Sequence, residues 1–185
     1  SFLVIGVGRY GRHLCKKLYE LGYDVMAVDR NEDRIEPVLP YTLNSMIGDS
    51  TKSEFIKSIG VSNFDTCFVA IGDDFQTSLE TTSLLSECGA KYVVSRASRD
   101  TQAKFLLRNG ANKVVYPERQ LAEWTAIRYS SNNISNYIEL PGENSIFECK
   151  VPKSWEGKTV LELGIRKKCK VNIMGIKKGE NWYMT

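Results

Sequence analysis

The chain has 185 residues, 42% of them hydrophobic and 25% charged, with a formal net charge of +3. This suits one globular domain and a fragment of a second, and no run approaches the roughly 18 apolar residues of a membrane-spanning helix, so any membrane connection is expected to come through a partner. The charge is too small to argue for nucleic acid and is unevenly spread: residues 1–145 carry 16 Lys+Arg against 18 Asp+Glu, and residues 146–185 carry 9 against 4.

The first dozen residues read as an apolar strand that breaks at Gly6-Val7-Gly8-Arg9-Tyr10-Gly11 and continues into a helix. A G-x-G-x-x-G turn between strand and helix is the dinucleotide-binding turn of a doubly wound α/β fold. Gly6 lets the chain reverse, Gly8 lets backbone N–H groups approach a pyrophosphate, and Gly11 lets the helix pack on the strand. Leu14, Cys15, Leu18 and Leu21 then recur at helical spacing up to a stop at Gly22. A second strand, Tyr23–Val28, ends at Asp29, 18 residues after Gly11, where a carboxylate can accept ribose hydroxyls.

A short helix over 31–38 and a weak strand over 42–47 follow. Gly48-Asp49-Ser50-Thr51 precedes a helix over 52–59, and any of its three polar residues could cap that helix. The run 66–71 is nearly all apolar, as in a parallel strand buried on both faces, and stops at Gly72-Asp73-Asp74. Helices over 76–88, 101–108 and 118–129 alternate with strands over 92–95 and 113–116. Six βα units with short connections predict one parallel sheet covered on both faces. Residues 130–136 read as a linker between a domain over 1–136 and an α+β module over 137–185. In that module strands are expected at 137–140, 145–151 and 171–177, with a helical turn at 160–163 and a last strand begun at Trp182, as if the module were truncated.

Ligands of open parallel sheets sit at the carboxyl ends of the strands. The glycine turn is therefore assigned to phosphates, Asp29 to a ribose, Asp49 and its neighbours to a base, and Gly72–Asp74 to the far wall. The candidate contacts are Gly6, Val7, Gly8, Arg9, Tyr10, Gly11, Asp29, Arg30, Gly48, Asp49, Ser50, Ile71, Gly72, Asp73 and Arg96. Asp49 and Asp74 are equally explained as helix caps. A guanidinium inside the glycine turn, Arg9, opposes the helix dipole unless an anion is near, which points to a phosphate. Arg30 beside Asp29 leaves room for a 2′-phosphorylated nucleotide.

His13 is the single histidine, and no Y-x-x-x-K, H-E-x-x-H or G-x-S-x-G pattern occurs, so no catalyst is expected. Gly157-Lys158-Thr159 imitates the end of a P-loop, but the glycine required five residues earlier is Pro152. The five cysteines form no C-x-x-C pair, a usage that fits buried thiols in a reducing cytoplasm. The basic run Arg166–Lys170 reads first as a solvated face and second as a site for a small anion.

With these features in place, the chain resembles the RCK-domain regulatory subunits of bacterial potassium uptake systems of the Ktr or Trk type. The resemblance rests on residues 4–11, 25–29, 69–72 and 110–118 (GANKVVYPE), and continues through Tyr137–Leu140 and Leu161–Arg166. It implies a cytoplasmic protein that forms homodimers and an octameric ring beneath a potassium-translocating membrane protein, with ATP or ADP, or NAD(H) in some members, at the glycine turn. It further implies that Arg9 contacts a terminal phosphate across a subunit boundary. By the same resemblance Glu118 helps to bind a divalent cation, magnesium or calcium, at a dimer interface. Val160, Ile165 and Arg166 fall on a cyclic di-AMP pocket. The competing readings are a small NAD(P)-dependent reductase, which would need a substrate domain, and a redox-sensing repressor, which would need a DNA-binding arm.

Overall fold

The computed structural model describes residues 1–130, 134–140, 142 and 144–184. It divides into two compact units, Ser1–Glu123 and Trp124–Thr185. The division falls inside a helix, earlier in the chain than the 136/137 boundary expected from sequence.

In the first unit six strands form one sheet: β1 (Phe2–Ile5), β2 (Val25–Asp29), β3 (Asn44–Ile47), β4 (Thr66–Val69), β5 (Val93–Arg96) and β6 (Lys113–Val115). Their order is β3-β2-β1-β4-β5-β6, and every neighbouring pair is parallel. The direction of winding reverses between β1 and β4, the crevice where such sheets bind ligands. Side chains alternate between faces, as the strand period of two requires. Leu3, Ile5, Met26, Val28, Cys67 and Val69 form one core with Ile56 and Leu85, while Val4, Val25 and Ala27 form the other with Cys15, Leu18 and Val38.

The connecting helices are α1 (Arg9–Glu20), α2 (Glu32–Ile35, continued by a 3-10 segment Glu36–Tyr41), α3 (Ser53–Ile59), α4 (Phe75–Glu87), α5 (Asp100–Arg108) and α6 (Pro117–Ser130). Two expectations need correction here. Leu21 is not on the buried face of α1 but at its C-terminal cap, more than half exposed. None of Asp49, Ser50 and Thr51 caps α3, whose N-cap position is Lys52 with no side-chain bond. Asp49 instead closes a local turn by accepting from the Thr51 N–H and hydroxyl, a competing use of such side chains. The buried face of α4 is built from Ser78, Thr81, Thr82 and Leu85, and the Thr81 and Thr82 hydroxyls pair with those of Ser50 and Ser95 at 2.8 Å each.

In the second unit β7 (Ile134–Glu139) pairs antiparallel with β8 (Ser145–Cys149), and β9 (Gly175–Lys178) with β10 (Asn181–Met184). Between them lie α7 (Val160–Leu163), started by a Thr159–Glu162 capping box, and α8 (Ile165–Cys169). The strand expected over 171–177 is shorter and later. The segment 165–169 coils into α8, and Lys170 ends it in the left-handed region (φ 56°), so pairing begins only at Gly175. The linker expected over 130–136 is mostly otherwise: Ser130 ends α6, Ile134 begins β7, and residues 131–133 lie outside the described residues. Cys15 and Cys67 are buried, with burial pushing both thiols up to about 12, but Cys149 and Cys169 are exposed, against the expectation of buried thiols.

Candidate functional site

The glycine turn follows β1 directly. Gly6 has φ +88°, a conformation open to glycine, and a Cβ there would also lie 2.7 Å from Ile71. A Cβ on Gly11 would lie 2.1 Å from the Gly6 carbonyl oxygen, so glycine is what allows α1 to start against the turn it leaves. Gly8 differs. It takes the N-cap position of α1 with φ −63°, and a Cβ there would meet nothing within 4 Å. Its open side is where a ligand's phosphate can reach backbone.

No side chain caps α1 and no acidic residue stands in its first turn. The first N–H groups of a helix have no partner within it, and together with the dipole they favour an anion. A 12-residue helix is long enough for that field to be developed.

Asp29, at the end of β2, is buried to 5% exposure. Its Oδ2 accepts from the Val7 N–H at 2.9 Å and its Oδ1 from the Asn31 N–H at 3.0 Å, with the Arg34 guanidinium at 3.9 Å. The carboxylate therefore clamps the glycine turn to the neighbouring strand. Each oxygen keeps one further acceptor position, so a ribose contact is an added use of a group already fixed in place.

These parts line a cleft of about 410 Å³ at the carboxyl edge of the sheet, a size within the roughly 300–1,000 Å³ of small-molecule sites. Of the candidate contacts, Gly6, Gly8, Arg9, Tyr10, Asp29, Arg30, Gly48, Asp49, Ser50, Ile71, Gly72, Asp73 and Arg96 all line it. Val7 and Gly11 are buried behind it and act through backbone. Arg34, Asp74 and Thr77 also line it and were not among those contacts. By sequence Asp74 is assigned to the far wall or to a helix cap. It does both, accepting from the Thr77 N–H at 3.0 Å and hydroxyl at 2.7 Å as the N-cap of α4. Those two bonds, in that order, lower the Asp74 pKa, and Thr51's N–H and hydroxyl do the same for Asp49; Arg30 adds to both. Arg34, five residues beyond Asp29, is placed by the one turn of α2 and carries no local motif that would betray it.

The β5 side of the cleft is built around Arg96. A Cβ on Gly72 would lie 2.2 Å from its Nη1, so the missing side chain of Gly72 is the seat of the guanidinium. Nη2 donates to Glu118 Oε1 in a close ion pair, and the guanidinium carbon lies 5.8 Å from the centre of the Tyr10 ring. Burial raises the Tyr10 pKa, with Arg96 opposing and Glu118 adding to the shift. Arg9 is exposed and makes no ion pair among the described residues.

Glu118, expected to face a cation, is thus held by Arg96 in the cleft. Among the described residues no group of three or more His, Cys, Asp or Glu could hold a metal ion. In the second unit Val160 is half-buried at the start of α7, Ile165 is buried at 3% and Arg166 is exposed on α8. Among the described residues no helix is long and apolar enough to cross a membrane.

A sequence model of the TrkA-N domain matches residues 2–117. The Ktr system potassium uptake protein C of Bacillus subtilis is 40% identical over 180 residues, which is 97% of this chain and 81% of that protein. Among solved structures, the GsuK channel bound to NAD superimposes with a TM-score of 0.72 at 18% identity, covering 98% of this chain and 33% of that one. GsuK bound to ADP does so with a TM-score of 0.60 at 17% identity, over 69% and 34%. At such identities the structural likeness concerns the fold.

Proposed function

This chain belongs to the TrkA-N family, as an RCK-type subunit of a Ktr-like potassium uptake system, and from that membership and the geometry of its cleft we propose that it is a nucleotide-sensing regulatory subunit. An adenine nucleotide, ATP or ADP, binds at the glycine turn and alters the conformation of a ring of such subunits, a homodimer assembling into an octamer, which gates a potassium-translocating membrane partner. The protein is then cytoplasmic and peripheral to the membrane through that partner. NAD(H) is the second choice of ligand, in keeping with the NAD-bound fold relative. The observation that carries the reading is the uncapped start of α1, with Gly8 open to the cleft and the unpaired Arg9 beside it.

A ligand shifts a conformational equilibrium only by its difference in affinity for the two states. ATP and ADP differ by one terminal phosphate, and a guanidinium that engages it in one state supplies that difference. A charge-assisted hydrogen bond contributes about 1.5–3 kcal/mol, enough for a tenfold or larger preference. Arg9 fills this role. The reading includes no chemical step. The residues lining the cleft include no histidine or lysine, and burial, by raising the Tyr10 pKa, favours its neutral phenol. Two finer elements rest on the family resemblance: a magnesium or calcium ion at Glu118, which would have to compete with Arg96 and take further donors from outside this chain, and cyclic di-AMP near Val160, Ile165 and Arg166.

The test is calorimetry with ATP, ADP, NADH and cyclic di-AMP on the wild-type chain and on Arg9→Ala. The expected result is binding of ATP and ADP with an ATP preference that Arg9→Ala removes. Absence of binding by ATP, ADP and NADH alike refutes the nucleotide reading, and substrate-dependent oxidation of NADH would replace it with a reductase.

A further inference from the structure

A sheet of order β3-β2-β1-β4-β5-β6 consists of two mononucleotide-binding halves, and a dinucleotide spans both across the crevice between β1 and β4. Here the two halves are unlike. Over β1–β3 the cleft is open: Gly8 presents bare backbone and Arg30 and Asp49 are exposed. Over β4–β6 the cleft continues past Gly72, Asp73 and Asp74, but an ion pair stands across it. Arg96, the last residue of β5, lays its guanidinium on Gly72 just after β4 and ties it to Glu118 in the first turn after β6. Its side chain is only 18% exposed. This one ion pair crosses the carboxyl ends of all three strands, where the second nucleoside of a dinucleotide would lie.

Resting on the nucleotide reading above, we propose that the Arg96–Glu118 pair makes the cleft selective for nucleoside di- and triphosphates over dinucleotides. Two properties of Arg96 combine. Its bulk and its bond to Glu118 exclude a second nucleoside unless the pair opens. Its Nε–H is buried without an acceptor, an unfavourable state that a phosphate oxygen would relieve. A nucleoside diphosphate ends in a free phosphate, which meets this donor once the guanidinium, released from Glu118, turns toward the cleft. In a dinucleotide the corresponding oxygen is esterified to the second ribose and carries less charge, so the same donor favours the chain with the free end. Glu118 is the competing acceptor, and its 65% exposed side chain can swing away when phosphate takes over.

The experiment measures dissociation constants of ADP, ADP-ribose and NADH on the wild-type chain, Arg96→Ala and Glu118→Gln, with a thermal melt of each to confirm folding. In the wild type ADP binds tighter than ADP-ribose, and ADP-ribose at least as tightly as NADH. Arg96→Ala weakens ADP and tightens NADH, so that the ratio of their constants falls at least tenfold. Glu118→Gln frees the guanidinium and tightens ADP several-fold, which keeps the proposal testable should Arg96→Ala not fold. Equal weakening of ADP and NADH by Arg96→Ala, no change in either, or weaker ADP binding in Glu118→Gln overturns this selectivity while leaving the nucleotide reading intact. Absence of binding by ADP and NADH on the wild type overturns both.

Discussion

Gly8 and Gly11 stand three residues apart in one turn, yet replacing each with alanine should fail for opposite reasons. At Gly11 the new methyl would lie 2.1 Å from the Gly6 carbonyl oxygen. Restoring an ordinary contact of 3.4 Å requires α1 to retreat by about 1.3 Å from a backbone atom that cannot rotate away. Overpacking of this kind costs roughly 1–3 kcal/mol, and a rigid backbone neighbour places Gly11→Ala at the upper end, about 2–3 kcal/mol. For a chain of this size that lowers Tm by roughly 4–12 °C. At Gly8 the methyl meets nothing and φ is −63°. Lost freedom in the unfolded chain favours alanine by about 0.4–1 kcal/mol, and its poorer fitness as an N-cap opposes by a similar amount. Gly8→Ala should therefore melt within a few degrees of the wild type, while losing ADP binding because the methyl projects into the space a phosphate must occupy. The assay is a thermal melt of the nucleotide-free chain beside calorimetry with ADP. A Gly8→Ala variant that melts as low as Gly11→Ala, or that binds ADP like the wild type, would refute the assignment of Gly8 to the ligand.

Asp29→Asn sets an amide NH₂ against one of the two backbone N–H groups that Asp29 now accepts. It should cost about 1–3 kcal/mol in the absence of any ligand, as read by urea unfolding, so a loss of stability is expected before any loss of nucleotide binding. Asp74→Ala should lower Tm and Asp74→Asn should largely preserve it, because asparagine caps as well as aspartate. Since Thr77 lowers the folded Asp74 pKa, the charged cap stabilises the fold above the ordinary carboxylate pKa. That contribution is lost as pH falls through the lowered value, so the wild-type advantage over Asp74→Ala should shrink in melts taken toward strongly acidic pH. Thiol titration at pH 8 should modify Cys149 and Cys169 first and leave Cys15 and Cys67 untouched until denaturant is added, since burial holds those two thiols at about 12. Fast reaction of Cys15 in the native chain would contradict the packing of α1 on the sheet.

The parts of the site that could be read from sequence are those where local geometry leaves one residue type. Gly6 needs a positive φ and Gly11 needs the absence of a Cβ, so their spacing announces the turn. The sheet was legible because strands buried on both faces are largely apolar, as at 25–28. Asp49 was ambiguous because a side chain placed before a helix can cap it or close a turn, and only the position of α3 relative to Thr51 decides. Asp29 was found as an acid at the right distance, but its clamp on Val7, 22 residues earlier in the chain, depends on the register of β1 against β2. The Arg96–Glu118 pair joins residues that neither propensity nor motif connects, and its key is the empty side of Gly72. In the second unit, a helix ended by Lys170 in the left-handed region displaced the expected strand, and no glycine marks that stop.

The charge lining the cleft explains how an anion can be admitted to a place so rich in acids. Five carboxylates, Asp29, Asp49, Asp73, Asp74 and Glu118, face four guanidinium groups, Arg9, Arg30, Arg34 and Arg96. By formal charge alone the cleft should repel a nucleotide. Four of the five, however, are already engaged: Asp29 by two backbone N–H groups and Arg34, Asp49 by Thr51, Asp74 by Thr77 and Glu118 by Arg96. Their donors hold them as fixed walls, so little of their field is free to follow a ligand. The cations are engaged unevenly. Arg9 makes no ion pair among the described residues, and Arg96 retains a buried Nε–H without an acceptor. Apart from Asp73, what remains unsatisfied in the cleft is therefore donor capacity, concentrated at the start of α1 and on the β5 side. A chain of phosphates running between those two places matches it in sign and in direction.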